Sequence, residues 1–190
     1  MTPDTLAGAI GCSPALAELY AEPMTLACTF YDISTPARKA AFFAQIGHES
    51  GSLRWATEVW GPTTAQLGYE GRADLGNTMP GDGERFKGHG LIQITGRANH
   101  ARVRDRLRAN FPLADVPDFE VAPHRLAEPL WAALSAADYW DEHGLNALAD
   151  EGEIVKIGRA INRGDPNSTR QANGEANRLA RYDRAELWLA

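Results

Sequence analysis

No run of about 18 apolar residues occurs in the 190-residue chain, so no membrane-spanning helix is expected. Cysteine is scarce. Cys12 and Cys28 are too few for a disulfide framework, and both are expected as free thiols in apolar helical surroundings. Basic charge is also short, with 19 Lys and Arg against 25 Asp and Glu, and a net charge of −6. No basic stripe with interleaved aromatics exists, which argues against nucleic-acid binding and does nothing to help adhesion to anionic polymers. The opening "MTPDTLAGAIGCSPALAELY" has no basic segment followed by a long apolar core, so a secretory signal is not expected. Three familiar chemistries are missing as well. His48-Glu49 begins like a zinc H-E-x-x-H, but Ser52 stands where the second histidine is needed. "GDGERFKGHG" has the wrong glycine spacing for a phosphate loop or a dinucleotide fingerprint, and Ser50 lacks the G-x-S-x-G setting of a nucleophile elbow. Neither a metal nor an organic cofactor is expected.

What is present is a helical pattern. Length and an apolar fraction of 44% suit one soluble domain with a sizeable core, spanning 1–190. Short helices are expected at about 3–10, 13–20, 23–31 and 35–50, the last started by Thr35 as N-cap and Pro36 at the first helical position. Between Gly61 and Gly90 lie eight of the 18 glycines, read as one long irregular loop. "LIQIT" (91–95) reads as a short extended segment. Helices then follow at about 96–110, along Leu126, Leu130, Leu134 and Ala137, along Ile154, Ile157 and Ile161, and from about 174 to 189. The fold class is mainly α, with at most a very short β element.

Within this pattern two carboxylates stand out in "AQIGHESGSLRWATEVW" (44–60). Phe42, Ile46 and Glu49 share a helix face by their i, i+4, i+7 spacing. Glu49 therefore emerges at the rim of a core. A carboxyl partly removed from water holds its proton more tightly, and such a group serves as a general acid. Glu58 lies nine positions on. A continuous helix would put it about 13 Å away along the axis, but Gly51 should end the helix sooner. A chain that turns back can bring the pair within the roughly 6.5–9.5 Å used by inverting glycosidases. The competing reading is a salt-bridged helix-end carboxylate and a solvated one, since structural ion pairs are common. In an extended "LIQIT", Gln93 and Thr95 face away from Ile92 and Ile94, and Asn99 follows Thr95 by one helical turn. An amide, a hydroxyl and an amide suit the hydroxyl and N-acetyl groups of a sugar. As an alternative, Thr95 simply caps the helix after it.

The blocks "AFFAQIGHESGSL", "YEGRADLGNTMPGDGERFKGHGLIQITGRANH" and "GRAINRGDPN" resemble glycoside hydrolase family nineteen, from about residue 12 to 189. The short gap between the glutamates and the compact size are similar to its phage and prophage endolysin branch. The resemblance implies a lysozyme-like, mainly helical fold and metal-free hydrolysis of β-1,4 bonds with inversion. It implies Glu49 as acid, Glu58 as base and Thr95 as a holder of the attacking water. Gln93, Asn99, Asn162 and Arg178 match substrate-contacting positions, and His48, Tyr69 and Arg72 are further cleft candidates. Arg178 could instead be a surface residue on a solvated helix face. Trp55, Trp60, Trp131, Trp140 and Trp188 fit a core better than a sugar platform, with Trp60 the one to watch. His89 and His100 depart from the family's usual arginine and tyrosine. The expected substrate is bacterial peptidoglycan, with chitin as the alternative and an inactive wall-binding protein as the rival from another class. The expected setting is a monomer made in the cytoplasm, released by a separate membrane-permeabilising protein and acting on the periplasmic side.

Overall fold

The computed structural model describes residues 1–190, and its regular secondary structure is almost wholly helical. Ten α-helices and two 3-10 helices are joined by turns, and the only β pairing is two isolated bridges. No helix is long and apolar enough to cross a membrane. The chain divides into two compact units, one made of 1–54 with 139–190 and the other of 55–138.

In the first unit the starts of the helices are written in the sequence. α1 (Pro3–Ile10), α2 (Pro14–Phe30) and α3 (Pro36–Glu49) each begin with proline after Thr2, Ser13 and Thr35, whose side chains accept from Thr5, Leu16 and Arg38 backbone N–H. Proline lacks a donor that the first turn could not use anyway. α2 corrects the expectation of two helices split near residue 22: it runs straight through Pro23. The lost hydrogen bond is outweighed by a buried stripe of Ala17, Tyr20, Ala21, Met24, Ala27 and Cys28 on either side of it. Cys12 lies in the link before α2 rather than in a helix, and both cysteines are free thiols. Burial pushes the Cys28 thiol up to about 12.

α3 is the centre of this unit. Residues 40–47 are buried all round, not on one face as amphipathic spacing suggests, so neighbours cover every side. Phe42 meets Trp140 edge-on at 5.3 Å between ring centroids. Gly47 allows a close approach: a Cβ there would come within 2.8 Å of Arg181 Nη1 and 3.3 Å of the Ile10 carbonyl. α8 (Leu145–Asp150), α9 (Ile154–Arg163) and α10 (Glu175–Leu189) complete the unit, and α3 packs chiefly on α10.

The second unit holds the glycine-rich stretch, which is more ordered than a loop. It contains α4 (Thr64–Leu67), a 3-10 turn (Ala73–Leu75) and α5 (Asp82–Arg85). α6 (Arg97–Asn110), a 3-10 helix (Pro123–Ala127) and α7 (Pro129–Glu142) follow, α7 carrying the chain into the first unit. "LIQIT" is not extended. Gln93 takes a positive φ of 56°, closing a tight turn between the bridged residues His89 and Ile94. The turn also uses Gly90 at a positive φ of 78°, but its second left-handed position, Gln93, is read poorly from alternation, because that conformation is uncommon for a side-chain-bearing residue.

Candidate functional site

In the first unit Glu49 sits on the last turn of α3, with about a fifth of its side chain exposed. The expected rim position is correct, but the carboxyl is not alone there. Arg178, on α10, is 2% exposed and donates through Nη2 to Glu49 Oε1. Its Nη1 donates to Gln45 Oε1 at 2.5 Å and its Nε to the Asn173 carbonyl at 3.1 Å. A solvated helix face is thus the wrong description of Arg178. Asn162 Oδ1 accepts from the backbone N–H of Asn173 at 2.8 Å, so this asparagine holds the turn on which the arginine leans. His48 Nδ1 lies 2.9 Å from Asn177 Oδ1, which also accepts from Arg181 Nε. An oxygen that accepts requires the histidine proton on Nδ1. Glu49, Arg178 and, through Asn173, Asn162 therefore belong to one connected set, with Gln45 as a member that pattern reading missed, while His48 bonds separately to Asn177.

In the second unit the residues 57–58, 88–89 and 94–95 lie side by side. Thr57 and Ile94 are each bridged antiparallel to His89. Two strand spacings separate the outer segments by roughly 10 Å, with Glu58 and Thr95 next in sequence to the bridged residues. The half-buried Glu58 is gripped by its neighbours. Its backbone N–H donates to the Gly88 carbonyl at 2.8 Å, and the Gly88 N–H returns a bond to Oε2 at 2.9 Å. Oε1 accepts from Gln66 Nε2 at 2.9 Å and from the Tyr69 hydroxyl at 3.4 Å. Burial, then the neighbouring Glu58 charge, push the Tyr69 phenol up. Trp60 stands beside Tyr69, with ring centroids 6.4 Å apart. Trp131 and Trp140 are core, whereas Trp55 and Trp188 are each about half exposed.

The polar groups of 93–99 turn partly inward. Gln93 Nε2 donates to the Gly90 carbonyl at 2.9 Å and to the Trp55 carbonyl at 3.3 Å. Gly88 makes room for this amide, since a Cβ there would lie 2.6 Å from Gln93 Oε1. Thr95 donates its hydroxyl to the Gln93 carbonyl at 3.0 Å, so its oxygen is left to accept. It does not cap α6. Gly96 is the N-cap residue, and the Arg97 N–H is satisfied by Asn77 Oδ1 at 2.9 Å. Asn99 bonds back to the Thr95 carbonyl at 2.7 Å. Arg72 is exposed and its guanidinium is engaged by Asp74.

His89 and His100, the two departures from the usual pattern, form a buried pair. His89 Nδ1 lies 3.1 Å from His100 Nε2, and His100 Nδ1 lies 2.9 Å from the Gly96 carbonyl. A carbonyl accepts, so His100 carries its proton on Nδ1 and receives the His89 proton on Nε2. Both rings are neutral in this arrangement. Burial, with the His100, Lys87 and His124 charges adding to it, pulls His89 down to about 3. Burial pulls His100 down to about 4. No group of three or more His, Cys, Asp or Glu side chains is arranged to hold a metal ion.

No family model matches the chain. Over 156 residues, 67% of this chain and 71% of the relative, it is 30% identical to a glycosyl hydrolase family 19 domain-containing protein of Haemophilus influenzae. The chain belongs to glycosyl hydrolase family 19. Its fold is that of the crystal structure of chitinase C from Streptomyces griseus and of a chitinase C mutant. The TM-score is 0.73 in each case, at 19% and 18% identity, covering 98% of this chain and 75% of those chains. The protein is accordingly a glycoside hydrolase of mainly α, lysozyme-like architecture, and its substrate class is polysaccharide.

The histidine pair sets a pH limit on stability. Below about pH 6.5 an unfolded histidine takes up a proton that these two rings refuse down to about 4 and about 3. Stability is therefore full above about pH 6.5 and falls as pH drops through that window, by up to about 1.4 kcal/mol per pH unit for each ring. Urea midpoints measured at pH 7 and pH 5 should differ clearly in the wild type and differ less in His100→Gln. Equal pH slopes in the two proteins would contradict this origin.

Proposed function

We propose that the protein hydrolyses β-1,4 glycosidic bonds of bacterial peptidoglycan with inversion, Glu49 acting as general acid and Glu58 as general base. The observation that carries the reading is the setting of Glu58. N–H donors face both of its carboxylate oxygens, which is the arrangement of an acceptor and hence of a base. Arg178 donates to Oε1 of Glu49, and Oε2 is the oxygen proposed to deliver the proton. The acid gives that proton to the glycosidic oxygen as the C1–O bond breaks. A water attacks C1 from the opposite face and loses a proton to Glu58, so a β linkage yields an α hemiacetal. Thr95 accepts the other hydrogen of the same water, because its own hydroxyl proton is committed to the Gln93 carbonyl. Gln93, Asn99, Asn162 and Arg178 are assigned to substrate contact on the strength of the family pattern, and His48, Tyr69 and Arg72 as further cleft candidates.

The compact size, the short gap between Glu49 and Glu58 and the "GCSPALAELYAEPM" opening resemble the endolysin branch and support peptidoglycan as the polymer. With it comes action at the cell wall as a monomer, after a separate protein has permeabilised the inner membrane. A chitin-cleaving reading is favoured by one observation, that the structural neighbours are named chitinase C. Both polymers present N-acetylglucosamine.

Purified protein should clear a suspension of outer-membrane-permeabilised bacteria faster than it releases oligomers from colloidal chitin. The reverse order would make it a chitinase, and no turnover of either polymer would make it a binding protein. For Thr95, Thr95→Ser should keep most of the activity, and Thr95→Val should lose it by at least about tenfold with little change in melting temperature. Equal rates in the two variants would remove the hydroxyl from the mechanism.

A further inference from the structure

Gln66 reaches Glu58 from α4, and its amide has no freedom about which end it presents. On one side Oε1 accepts from two backbone N–H groups, Thr63 at 2.7 Å and Gly61 at 3.2 Å. On the other side Nε2 donates to the Val59 carbonyl at 2.8 Å and to Glu58 Oε1 at 2.9 Å. A flipped amide would face oxygen to the Val59 carbonyl and N–H to N–H, losing four bonds at once. The side chain is 4% exposed, so water offers no substitute partners. The Thr63 hydroxyl does not hold the amide: it accepts from the Gln66 backbone N–H at 3.2 Å, the other half of a reciprocal capping box in which the amide oxygen is bound by backbone N–H groups alone.

From this geometry we infer that Gln66 is a positioning residue for the reaction: the cap of α4 fixes its amide as a donor, and that donor orients the Glu58 carboxylate. The inference rests on Glu58 being the base. Two fixed donors then hold the carboxylate from opposite sides, Gln66 on Oε1 and the Gly88 N–H on Oε2. The third, the Tyr69 hydroxyl at 3.4 Å, is longer and free to rotate. A base used in water-mediated attack must present one lone pair to one water, and a carboxylate free to swivel would lose rate without losing substrate affinity. The Gln66 role therefore belongs to kcat. It differs from that of an ordinary helix cap because the same amide serves the cap with its oxygen and the base with its nitrogen.

Gln66→Glu separates the two duties. The introduced carboxyl keeps an oxygen for the Thr63 and Gly61 N–H groups, so the cap survives. It places a second carboxyl where the donor stood, and two carboxylates sharing a site take up their first proton at higher pH. Initial rates on soluble peptidoglycan glycan chains should show kcat reduced by at least about tenfold at pH 6, KM within about twofold, and the acidic limb of the kcat profile moved up by about one pH unit or more. Thr63→Ala is the control. It loses the hydroxyl cap and lowers the melting temperature, yet leaves the Gln66 amide on Glu58 and should keep kcat. A Gln66→Glu enzyme with an unmoved acidic limb and unchanged kcat would overturn the positioning role, as would an equal kcat loss in Thr63→Ala. Glu58→Gln, assayed in parallel, tests the underlying reading separately: full activity there would remove Glu58 as base and the inference with it. Loss of activity in Glu58→Gln beside an unaffected Gln66→Glu would leave the base in place and reject only Gln66.

Discussion

A guanidinium buried to 2% exposure demands an acceptor for each of its N–H edges, and the first unit is arranged around that demand. Arg178 finds Glu49 and Gln45 on α3 and the Asn173 carbonyl before α10. These bonds tie together α3 and α10, the two helices that pack most closely in the unit. Removing one partner of a buried pair strands the other charge, at a cost on the order of 3–5 kcal/mol. The pairing is thus structural as well as chemical. The residue proposed to donate the proton is held in place by a group that the fold cannot easily release. Gln45 Nε2 is the one buried side-chain nitrogen left without a partner in this arrangement, so its amide faces Arg178 with the oxygen at the expense of its own donor.

The second unit handles its carboxylate differently. Glu58 meets no cation; it meets N–H groups from Gly88 and Gln66. Both are anchored by local backbone geometry, Gly88 through the bridged segments around His89 and Gln66 through the cap of α4. His89 and His100 fill the interior behind those segments as a neutral hydrogen-bonded pair. A family position that commonly carries arginine has here become an uncharged one. The bridged segments near Glu58 are consequently backed by two rings that stay unprotonated.

Much of this was legible from residue order. The Thr/Ser-Pro starts of α1 to α3, the rim position of Glu49 after Phe42 and Ile46, and the helical character of the whole chain follow from caps and periodicity. The rest needed tertiary information. Pro23 reads as a break, yet a continuous buried stripe carries α2 past it. "LIQIT" reads as a strand because Ile92 and Ile94 alternate with polar residues, yet the positive φ of Gln93 folds it into a turn. Arg178 is picked out only by the family resemblance, since its charge-rich helix also suits a solvated face, and its partners on α3 explain its burial. Gln66 was available as a Thr-x-x-Gln capping signature at 63–66, but no local pattern shows that its second hand reaches Glu58.

The central claim is a single displacement by water, with one carboxylate giving a proton and the other taking one. The most direct measurement is the anomeric configuration of the first product released, followed by proton NMR within minutes of adding enzyme to a soluble β-1,4-linked N-acetylglucosamine-containing oligomer. The account predicts an α signal that appears first and then mutarotates toward the equilibrium mixture. A β signal appearing first would mean two displacements through a covalent intermediate, and would contradict the roles given to Glu58 and its water even if both glutamates proved essential.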